Sequence, residues 1–315
     1  MNISIKAIKY FVVTCELGSV SSASEQLRIS NSAISVAIDA LEHEFGVQLL
    51  LRQRSKGVVL TPAGRNILSY AKHLLEEYSQ FFSNGKETNT RLKGSLKVGY
   101  FAPVSPAFLP DILRPILDQG EDVFVDLIAC NNEQAQEGLL RGRFDVAIFL
   151  DYAIHADIKY DTLLQIPPYL AVSENHHLAT RTSVSFRELE GENFILLNLP
   201  NTLEYYANML KRFEVKPNVV LGASNVEMVR SAVASGIGCS ILNMRPKTRA
   251  TYSGAGVDCI PLSDPQENLL ELVIGYMPGP PRKLAQVFIE NCRSYFSSEQ
   301  AQMHTVKLQC KDTHT

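Results

Sequence analysis

The sequence predicts an α/β protein in which a short helical unit with a β-hairpin precedes two lobes of alternating strands and helices. Apolar residues recur at helical spacing through residues 5–45, and from residue 96 onward short apolar runs alternate with helical stretches. Such alternation is typical of a mixed, largely parallel sheet with helices on both faces. A polar stretch at 83–93 separates the two patterns and marks a linker.

The first helical segments have the pattern of a helix-turn-helix. Apolar residues at three- and four-residue spacing predict a first helix that ends near Leu17, before Gly18. Ser19 or Ser21 can cap a short second helix, and Ser30 can cap a third. The apolar stripe of the third helix consists of Ile34, Ile38, Leu41 and Phe45. Its outer face then carries Asn31, Ser32, Ser35, Val36 and Asp39.

A β-hairpin and a long helix follow. Two extended runs at 48–52 and 57–60 flank a charged turn, which predicts a small wing carrying Arg52, Arg54 and Lys56. Thr61 and Pro62 form a strong helix start. Apolar residues in this helix step by four and three, which is the seam of a coiled coil with a partner helix. The seam residues are Ile67, Ala71, Leu74, Tyr78 and Phe81. The alternative is a helix that packs only on its own helical domain.

Together these elements favour binding to DNA, although any small helical bundle can show part of the pattern. In a helix-turn-helix the second helix of the motif, here the third helix of the chain, lies in the major groove. A dimer places two such helices about one turn of DNA apart. Basic residues of the wing are expected at phosphates, and polar residues of the third helix at base edges. The candidate DNA contacts are Ser21, Arg28, Asn31, Ser32, Ser35, Val36, Asp39, Arg52, Arg54 and Lys56.

The remainder of the chain is expected to fold as two α/β lobes with a cleft between them. The first lobe has strands predicted at 96–100, 123–129 and 145–149, with helices near 108–117 and 133–140. The second has strands at 194–197, 219–223 and 239–242, with helices near 203–213 and 226–235. Strand-like segments at 169–173 and 269–276 are expected to cross between the lobes. The polar tail is expected to be disordered.

Charge and motifs exclude several classes of protein. The chain has 30 Lys and Arg against 33 Asp and Glu, a net charge of −3, so any contact with DNA needs a local basic patch. No run approaches the ~18 apolar residues of a membrane span, and no signal peptide is evident, so we expect a cytoplasmic protein without membrane contact. Common nucleotide, metal and hydrolase motifs are absent, so we expect no cofactor and no enzyme activity.

The cysteines and histidines do not predict a redox or metal site. Cys130 and Cys239 lie in or beside apolar strands with no adjacent basic residue to lower a thiol pKa, which favours small buried hydrophobes over a redox switch. His176 and His177 are neighbours in sequence, and such a pair is more typical of a surface turn than of a metal site.

Many N-terminal positions resemble LysR-type transcriptional regulators. The matching positions are Phe11, Gly18, Ser19, Ala23, Leu27, Ser30, Ser35, Ile38, Leu41, Glu42, Gly46, Leu49, Arg52 and the run 60–64. The segments 94–99, 140–147 and 233–238 are similar to later parts of the family pattern. The resemblance implies a winged helix-turn-helix at 1–61, a dimerisation helix and hinge at 62–93, and a two-lobed effector domain resembling periplasmic binding proteins at 94–298. A disordered tail at 299–315 completes the expected organisation.

The recognition helix departs from the family pattern. Asn31 and Ser32 stand where relatives usually have Gln-Pro, and Val36, Ala37 and Asp39 occupy positions that are usually polar or basic. Asparagine can still pair with adenine, and valine can contact a thymine methyl. A carboxylate would repel phosphate or accept from a cytosine amine, so the base preference of this helix should be its own.

By the same resemblance, the cleft between the lobes binds a small effector. Its first wall, at 100–106, holds aromatic residues and prolines where many relatives have a Ser or Thr. We expect a planar or largely apolar effector with one anionic or acceptor group, its ring against Phe101 and its polar end toward Asn243 or Arg245. The candidate effector contacts are Phe101, Ala102, Pro103, Ser105, Asn131, Asn132, Tyr152, Asn198, Asn243 and Arg245.

The sequence therefore predicts a LysR-type regulator that binds double-stranded operator DNA under the control of an effector. The resemblance implies a homodimer, further assembly into a homotetramer, and contact with RNA polymerase. The alternative is a cytosolic small-molecule-binding or catalytic α/β protein whose helical domain serves only in assembly.

Overall fold

The computed structural model describes residues 3–53, 57–84, 92–200, 202–264 and 269–306. The N-terminal unit has four helices and a hairpin within those residues. They are α1 (Ile5–Leu17), α2 (Val20–Leu27), α3 (Asn31–Phe45), β1 (Leu50–Gln53), β2 (Gly57–Leu60) and α4 (Pro62–Asn84). Their order is the winged helix-turn-helix and long helix that the sequence predicts.

Local capping explains where these helices begin. The side chains of Ser4, Ser19 and Ser30 each accept a backbone N–H at the start of α1, α2 and α3. The hydroxyl of Thr61 accepts the N–H of Gly64 at 2.9 Å at the start of α4. Each helix start is thus determined by a short side chain that satisfies an otherwise unpaired donor.

The wing is anchored to α3 by a carboxylate. Oε1 of Glu42 accepts the backbone N–H groups of Leu49 and Leu50 at 2.7 and 2.9 Å. Ile34, Ile38 and Leu41 are each at most 2% exposed, so one stripe of α3 is buried and the opposite stripe faces solvent, but Phe45, which the sequence analysis placed in the buried stripe, is 43% exposed. Anchor and stripe together fix the orientation of α3 within the unit.

The first lobe is built on a five-stranded sheet of order β4-β3-β5-β12-β6. Its strands are β3 (Gly94–Phe101), β4 (Val123–Cys130), β5 (Val146–Leu150), β6 (Lys159–Gln165) and β12 (Glu271–Tyr276). Its helices are α5 (Leu109–Gln119), α6 (Asn132–Leu140), α9 (Lys283–Phe296) and α10 (Glu299–Gln302). β3 pairs in parallel with β4 and β5, whereas β12 is antiparallel to β5 and β6. The sheet is mixed, with more antiparallel pairing than predicted.

The second lobe combines a parallel pair with an antiparallel triplet. Its strands are β7 (Tyr169–Ser173), β8 (Asn193–Leu197), β9 (Asn218–Ala223), β10 (Ser240–Leu242) and β11 (Val257–Pro261). Its helices are α7 (Thr202–Arg212) and α8 (Val226–Ala234). β8 and β9 are parallel, β7 lies between β10 and β11, and a bridge from Phe194 to Cys239 joins the two sets.

The expected crossing segments are central strands of single lobes. β7 is buried in the second lobe and β12 in the first, and the chain changes lobe just before each of them. Sequence patterns missed β6, β11 and α9. Within the described residues, no helix is long and apolar enough to cross a membrane.

The expectation of a disordered tail from residue 299 onward is wrong for residues 299–306. Residues 299–302 form α10, and Ala301, His304 and Val306 are 0, 0 and 4% exposed. Ala301 packs in the core of the first lobe and Val306 in the core of the second. The segment therefore bridges both lobes. Residues 307–315 lie outside the described residues.

The predicted helix seam is also corrected at its N-terminal end. Ala71 is 6% exposed, and both Ala71 and Ile67 pack in the core of the N-terminal unit. Leu74, Tyr78 and Phe81 remain 45, 43 and 73% exposed, and Tyr70, which the sequence analysis omitted, is 50% exposed. The apolar stripe that faces away from the unit is thus Tyr70, Leu74, Tyr78 and Phe81.

Candidate functional site

The outer face of α3 carries the residues predicted to contact DNA. Asn31, Ser32, Val36 and Asp39 are exposed and Ser35 is half-buried. Val36 is 67% exposed and presents an apolar side chain on this face. The face offers an amide, hydroxyls, an apolar side chain and a carboxylate, and each of these can contact a base edge in a major groove.

The turn before α3 brings two further candidates near this face. Arg28 is exposed and closes α2 in the left-handed conformation, with φ 56°. Ser21 lies exposed on α2. The side chain of Arg52, and Arg54 and Lys56 altogether, lie outside the described residues, so their predicted phosphate contacts stay predictions.

A closed cavity lies between the two lobes. The space open to the centre of a water molecule is about 30 Å³, room for roughly two waters. Its lining residues come from the ends of strands and the first turns of helices in both lobes. They are Phe101, Pro103, Val104, Leu150, Ile166, Leu197, Thr202, Tyr206, Val226, Leu242, Asn243, Met244 and Leu270. No Lys, Arg, Asp or Glu occurs among these described lining residues.

Two of the three polar side chains that line the cavity, those of Tyr206 and Asn243, are paired with each other. The hydroxyl of Tyr206 donates to Oδ1 of Asn243 at 2.6 Å, and Nδ2 of Asn243 donates to the carbonyl of Ile166 at 2.7 Å. Burial raises the pKa of Tyr206 well above its usual value, so this hydroxyl remains a neutral donor. The cavity thus presents an apolar wall and a neutral hydrogen-bonded pair.

Three of the predicted effector contacts, Phe101, Pro103 and Asn243, line this cavity. The asparagines at the other strand ends have local structural roles. Asn131 caps α6, and Asn132 accepts the N–H of Leu150 at 2.7 Å while donating to the carbonyl of Tyr152. Ala102 and Asn198 are exposed outside the cavity. Ser105 is fully buried, and its hydroxyl has no partner among the described residues.

Arg245 does not supply the cation that the sequence analysis expected at the cleft. Its Nε donates to the carbonyl of Met303 at 3.0 Å, and its backbone N–H donates to the carbonyl of His304 at 3.0 Å. The C-terminal segment therefore holds this side chain outside the cavity. A carboxylate in the cavity would meet no positive charge among its described lining residues.

A wider groove adjoins the cavity along α7. It is lined by Asp151, Tyr152, Gln165, Tyr205, Asn208, Met209, Arg212 and residues 269–271. The hydroxyl of Tyr152 donates to Glu204 at 3.0 Å, and Asp151 accepts the N–H of Glu271 at 2.7 Å. Burial raises the pKa of Asp151. Leu270 lines both spaces, so the groove and the cavity adjoin at this residue.

The buried thiols are poorly suited to redox chemistry. Burial raises the pKa of Cys130 to about 11 and that of Cys239 to about 12. Thiolates are the reactive form, and a raised pKa suppresses them at neutral pH. Both cysteines therefore act as packing residues in this structure.

His176, His177 and Glu192 lie close enough to share a metal ion. The backbone N–H of Leu178 donates to Nδ1 of His176 at 3.2 Å, which leaves the proton of the neutral ring on Nε2. That Nε2 faces Glu192 at 3.5 Å. A ligating Nε2 has to be free of its proton, so the geometry favours a hydrogen-bonded turn over a metal centre.

Two family models match the chain. The model described as a bacterial regulatory helix-turn-helix protein of the lysR family matches residues 5–65, and the LysR substrate binding domain matches residues 89–297. The two matches coincide with the helical unit and with the two lobes.

Similar proteins agree with these matches. The HTH-type transcriptional regulator AlsR of Bacillus subtilis is 26% identical over 300 residues, covering 94% of this chain and 98% of its own. The crystal structure of HinK, a LysR family transcriptional regulator from Pseudomonas aeruginosa, has a TM-score of 0.60 at 29% identity and covers 94% of this chain and 99% of its own. A putative LysR family regulator from the same organism has a TM-score of 0.60 at 30% identity, covering 94% of this chain and 100% of its own.

Proposed function

Because the chain belongs to the LysR family of transcriptional regulators, we propose that α3 reads operator DNA and that the closed cavity binds the effector. The chain is a transcriptional regulator with a helix-turn-helix DNA-binding domain and an effector-binding domain. The proposed boundaries are 1–61 for the DNA-binding domain, 62–93 for the linker and 94–298 for the effector domain.

The proposed DNA contacts follow from exposure and chemistry. Asn31, Ser32 and Ser35 approach base edges, Val36 contacts a thymine methyl, and Arg28 contacts a phosphate. The carboxylate of Asp39 favours a cytosine amine and disfavours phosphate at its position. For the remaining candidates we propose contacts to the DNA backbone beside the bases that α3 reads. They are Ser21, Arg52, Arg54 and Lys56.

The absence of charge in the described lining of the cavity supports the proposed class of effector. Burying an unpaired carboxylate among apolar residues costs several kcal/mol, and Arg245 is held elsewhere. We therefore narrow the polar group expected of the effector to a neutral one, which gives a small neutral molecule with one hydrogen-bonding group. Its apolar part would contact Phe101, and its polar group would exchange hydrogen bonds with Tyr206 or Asn243.

The effector needs the lobes to open. The closed cavity holds only about two waters. Entry therefore requires the walls formed by Phe101 and Val226 to separate, and closure over the ligand would make its contacts to both lobes at once. A ligand that binds one arrangement of the lobes better than the other shifts their populations.

Assembly, location and partners complete the proposal. Pairing of the exposed stripe on α4 with a second copy gives a dimer, and further association gives a tetramer. The regulator acts in the cytoplasm, where its DNA lies, and contacts RNA polymerase when bound upstream of a promoter. It has no catalytic activity of its own.

Selection of bound fragments from the source genome, followed by anisotropy titrations, tests the DNA proposal. Wild-type protein should bind a selected fragment with a steep salt dependence, and Asn31→Ala should lose about 1–3 kcal/mol of preference at one base pair. An Asn31→Ala variant with the wild-type base preference at every position would show that α3 does not read the site through Asn31.

A thermal-shift screen tests the effector proposal. Small neutral aromatic and aliphatic alcohols, amides and ketones are compared with carboxylates of the same skeleton. At about 100 times its dissociation constant, a true ligand adds ~2.7 kcal/mol of stability. Stabilisation by the carboxylates and not by their neutral partners would refute the neutral class.

A further inference from the structure

The long helix α4 lies against the first lobe of its own chain. Nζ of Lys72 donates to the carbonyl of Gly142 at 2.7 Å and lies 3.7 Å from Oδ1 of Asp145. The same ammonium lies 3.2 Å from Glu16 on α1. One side chain therefore connects α4 and α1 of the N-terminal unit to the loop that leads into β5.

Asp145 is held from several sides. Its side chain is 5% exposed, and it accepts the backbone N–H of Lys97 at 2.9 Å and a hydrogen bond from Arg282. A buried carboxylate needs such partners, because burying it unpaired is costly. The other partners of Asp145 belong to the lobe, and Lys72, 11% exposed, is the partner that comes from the N-terminal unit.

Two further contacts extend along α4. Arg65 donates to Oδ2 of Asp157 from Nη2 at 2.5 Å and from Nε at 3.2 Å, and this bond lowers the pKa of Asp157. The backbone N–H of Lys283 donates to Glu76 at 3.1 Å. The contacts therefore span the part of α4 from Arg65 to Glu76, about half of its 23 residues.

The two surfaces also fit in shape. Gly142 adopts φ 69°, and a Cβ at this position would collide with the Leu68 side chain. Leu68 is 3% exposed and belongs to the core of the N-terminal unit. The lobe thus approaches α4 where only a glycine leaves room. We name the set Arg65, Leu68, Lys72, Gly142, Asp145 and Asp157 the docking contact.

The docking contact and the cleft lie at opposite ends of the same strands. Asp145 immediately precedes β5, and Leu150 at the other end of β5 lines the cavity. Lys97 lies near the start of β3, and Phe101 at its end also lines the cavity. Central strands of a sheet are stiff, so a displacement at one end is carried to the other.

We propose that the docking contact couples the cleft to the orientation of the DNA-binding domain within one chain. Lobe movement at Phe101 and Leu150 shifts the starts of β3 and β5, and Lys72 and Arg65 transmit this shift to α4. Its link to effector control rests on the proposed function, whereas the docking contact and its connection to the cleft are testable without a ligand or DNA.

Hydrogen exchange on the full-length protein tests the proposal, because coupling between two sites is reciprocal. Arg65→Asp and Asp157→Arg each place like charges at the contact, and the double variant restores an opposite pair. We expect each single variant to raise exchange at 140–146, and at the cleft segments 98–104 and 148–151, by about fivefold or more. The double variant should return both regions toward wild type. Exchange at β7 should stay unchanged in all three.

The exposed pair Arg114 and Asp118 on α5 provides the matched control, since it is 83 and 71% exposed and lies away from the contact. Arg114→Asp and Asp118→Arg should leave both regions at wild-type exchange. Unchanged exchange at 140–146 in the Arg65 and Asp157 variants would show that the contact does not hold in solution. Raised exchange at 140–146 with unchanged cleft segments would show docking without coupling. Either result overturns the proposal, and neither bears on whether α3 binds DNA.

Discussion

The hydroxyl of Tyr206 donates a 2.6 Å hydrogen bond to Oδ1 of Asn243, and apart from Thr202 the other described residues that line the cavity are apolar. Tyr206 lies on α7, whereas Asn243 follows β10 and also donates to the carbonyl of Ile166. The pair therefore connects α7 of the second lobe to the segment between β6 and β7, where the chain passes from the first lobe to the second. A ligand with one donor or acceptor has to compete with this existing bond.

Tyr206→Phe tests the strength of that connection. The variant keeps the ring and leaves one buried acceptor of Asn243 short of a donor, so we expect a loss of about 1–3 kcal/mol in the free energy of unfolding. Chemical denaturation measures it. Tyr252→Phe is the matched control, because Tyr252 is 96% exposed and should lose nothing measurable. Equal stability of the two variants would contradict a structural role for the pair.

Arg28→Gly separates charge from backbone conformation at the turn before α3. Arg28 has φ 56°, which glycine adopts readily, so the turn should persist while a cation is removed. We expect weaker binding to every DNA sequence and a salt slope reduced by about 1 in anisotropy titrations. Glu214→Gly, at a residue with the same φ of 56° in the second lobe, controls for the backbone change. An unchanged slope for Arg28→Gly would remove Arg28 from the phosphate contacts.

Leu74→Asp should weaken the dimer. Leu74 is 45% exposed on the stripe of α4 that faces away from its own domain, so pairing would bury the new carboxylate between apolar side chains. That costs several kcal/mol, and the dimer dissociation constant should rise by ~100-fold or more in light scattering. Leu117→Asp, at a 50% exposed leucine on α5, is the matched control. A dimer that is equally weakened by both changes would place the interface elsewhere.

Local signals made much of the fold predictable from the sequence. Ser30 and Thr61 cap helices through bonds to residues three positions away, so a short window of sequence contains both partners. The stripe Ile34, Ile38 and Leu41 identifies the buried side of α3 by the same local logic. The exposed face of α3, and with it the candidate DNA contacts on this helix, follows from the stripe.

Contacts between distant residues explain what the sequence could not predict. Ile67 and Ala71 have coiled-coil spacing, but that spacing equally suits packing on α1. In the structure both residues pack in the core of the N-terminal unit. Arg245 is captured by Met303, 58 positions along the chain. Tyr206 and Ile166 reach the cavity because of how the lobes meet, and no pattern around either residue indicates it.

His304 should make the stability of the effector domain depend on pH. It is fully buried and its Nδ1 faces the carbonyl of Arg245 at 3.3 Å, so Nδ1 carries the proton and Nε2 accepts from the hydroxyl of Tyr295 at 2.9 Å. Burial lowers the pKa of His304 below its ordinary value of about 6.5. Above ~6.5 the ring is neutral in both folded and unfolded chains, and its contribution is fully present. As the pH falls from there through the lower folded pKa, the unfolded chain takes up the proton first, and stability is lost. Denaturation midpoints followed from about pH 7.5 to pH 5 should therefore fall less steeply in His304→Asn than in wild type, whereas His43→Asn, at an exposed histidine of α3, should keep the wild-type slope. If His304→Asn loses stability on acidification as steeply as wild type, protonation of His304 does not account for the pH dependence of stability.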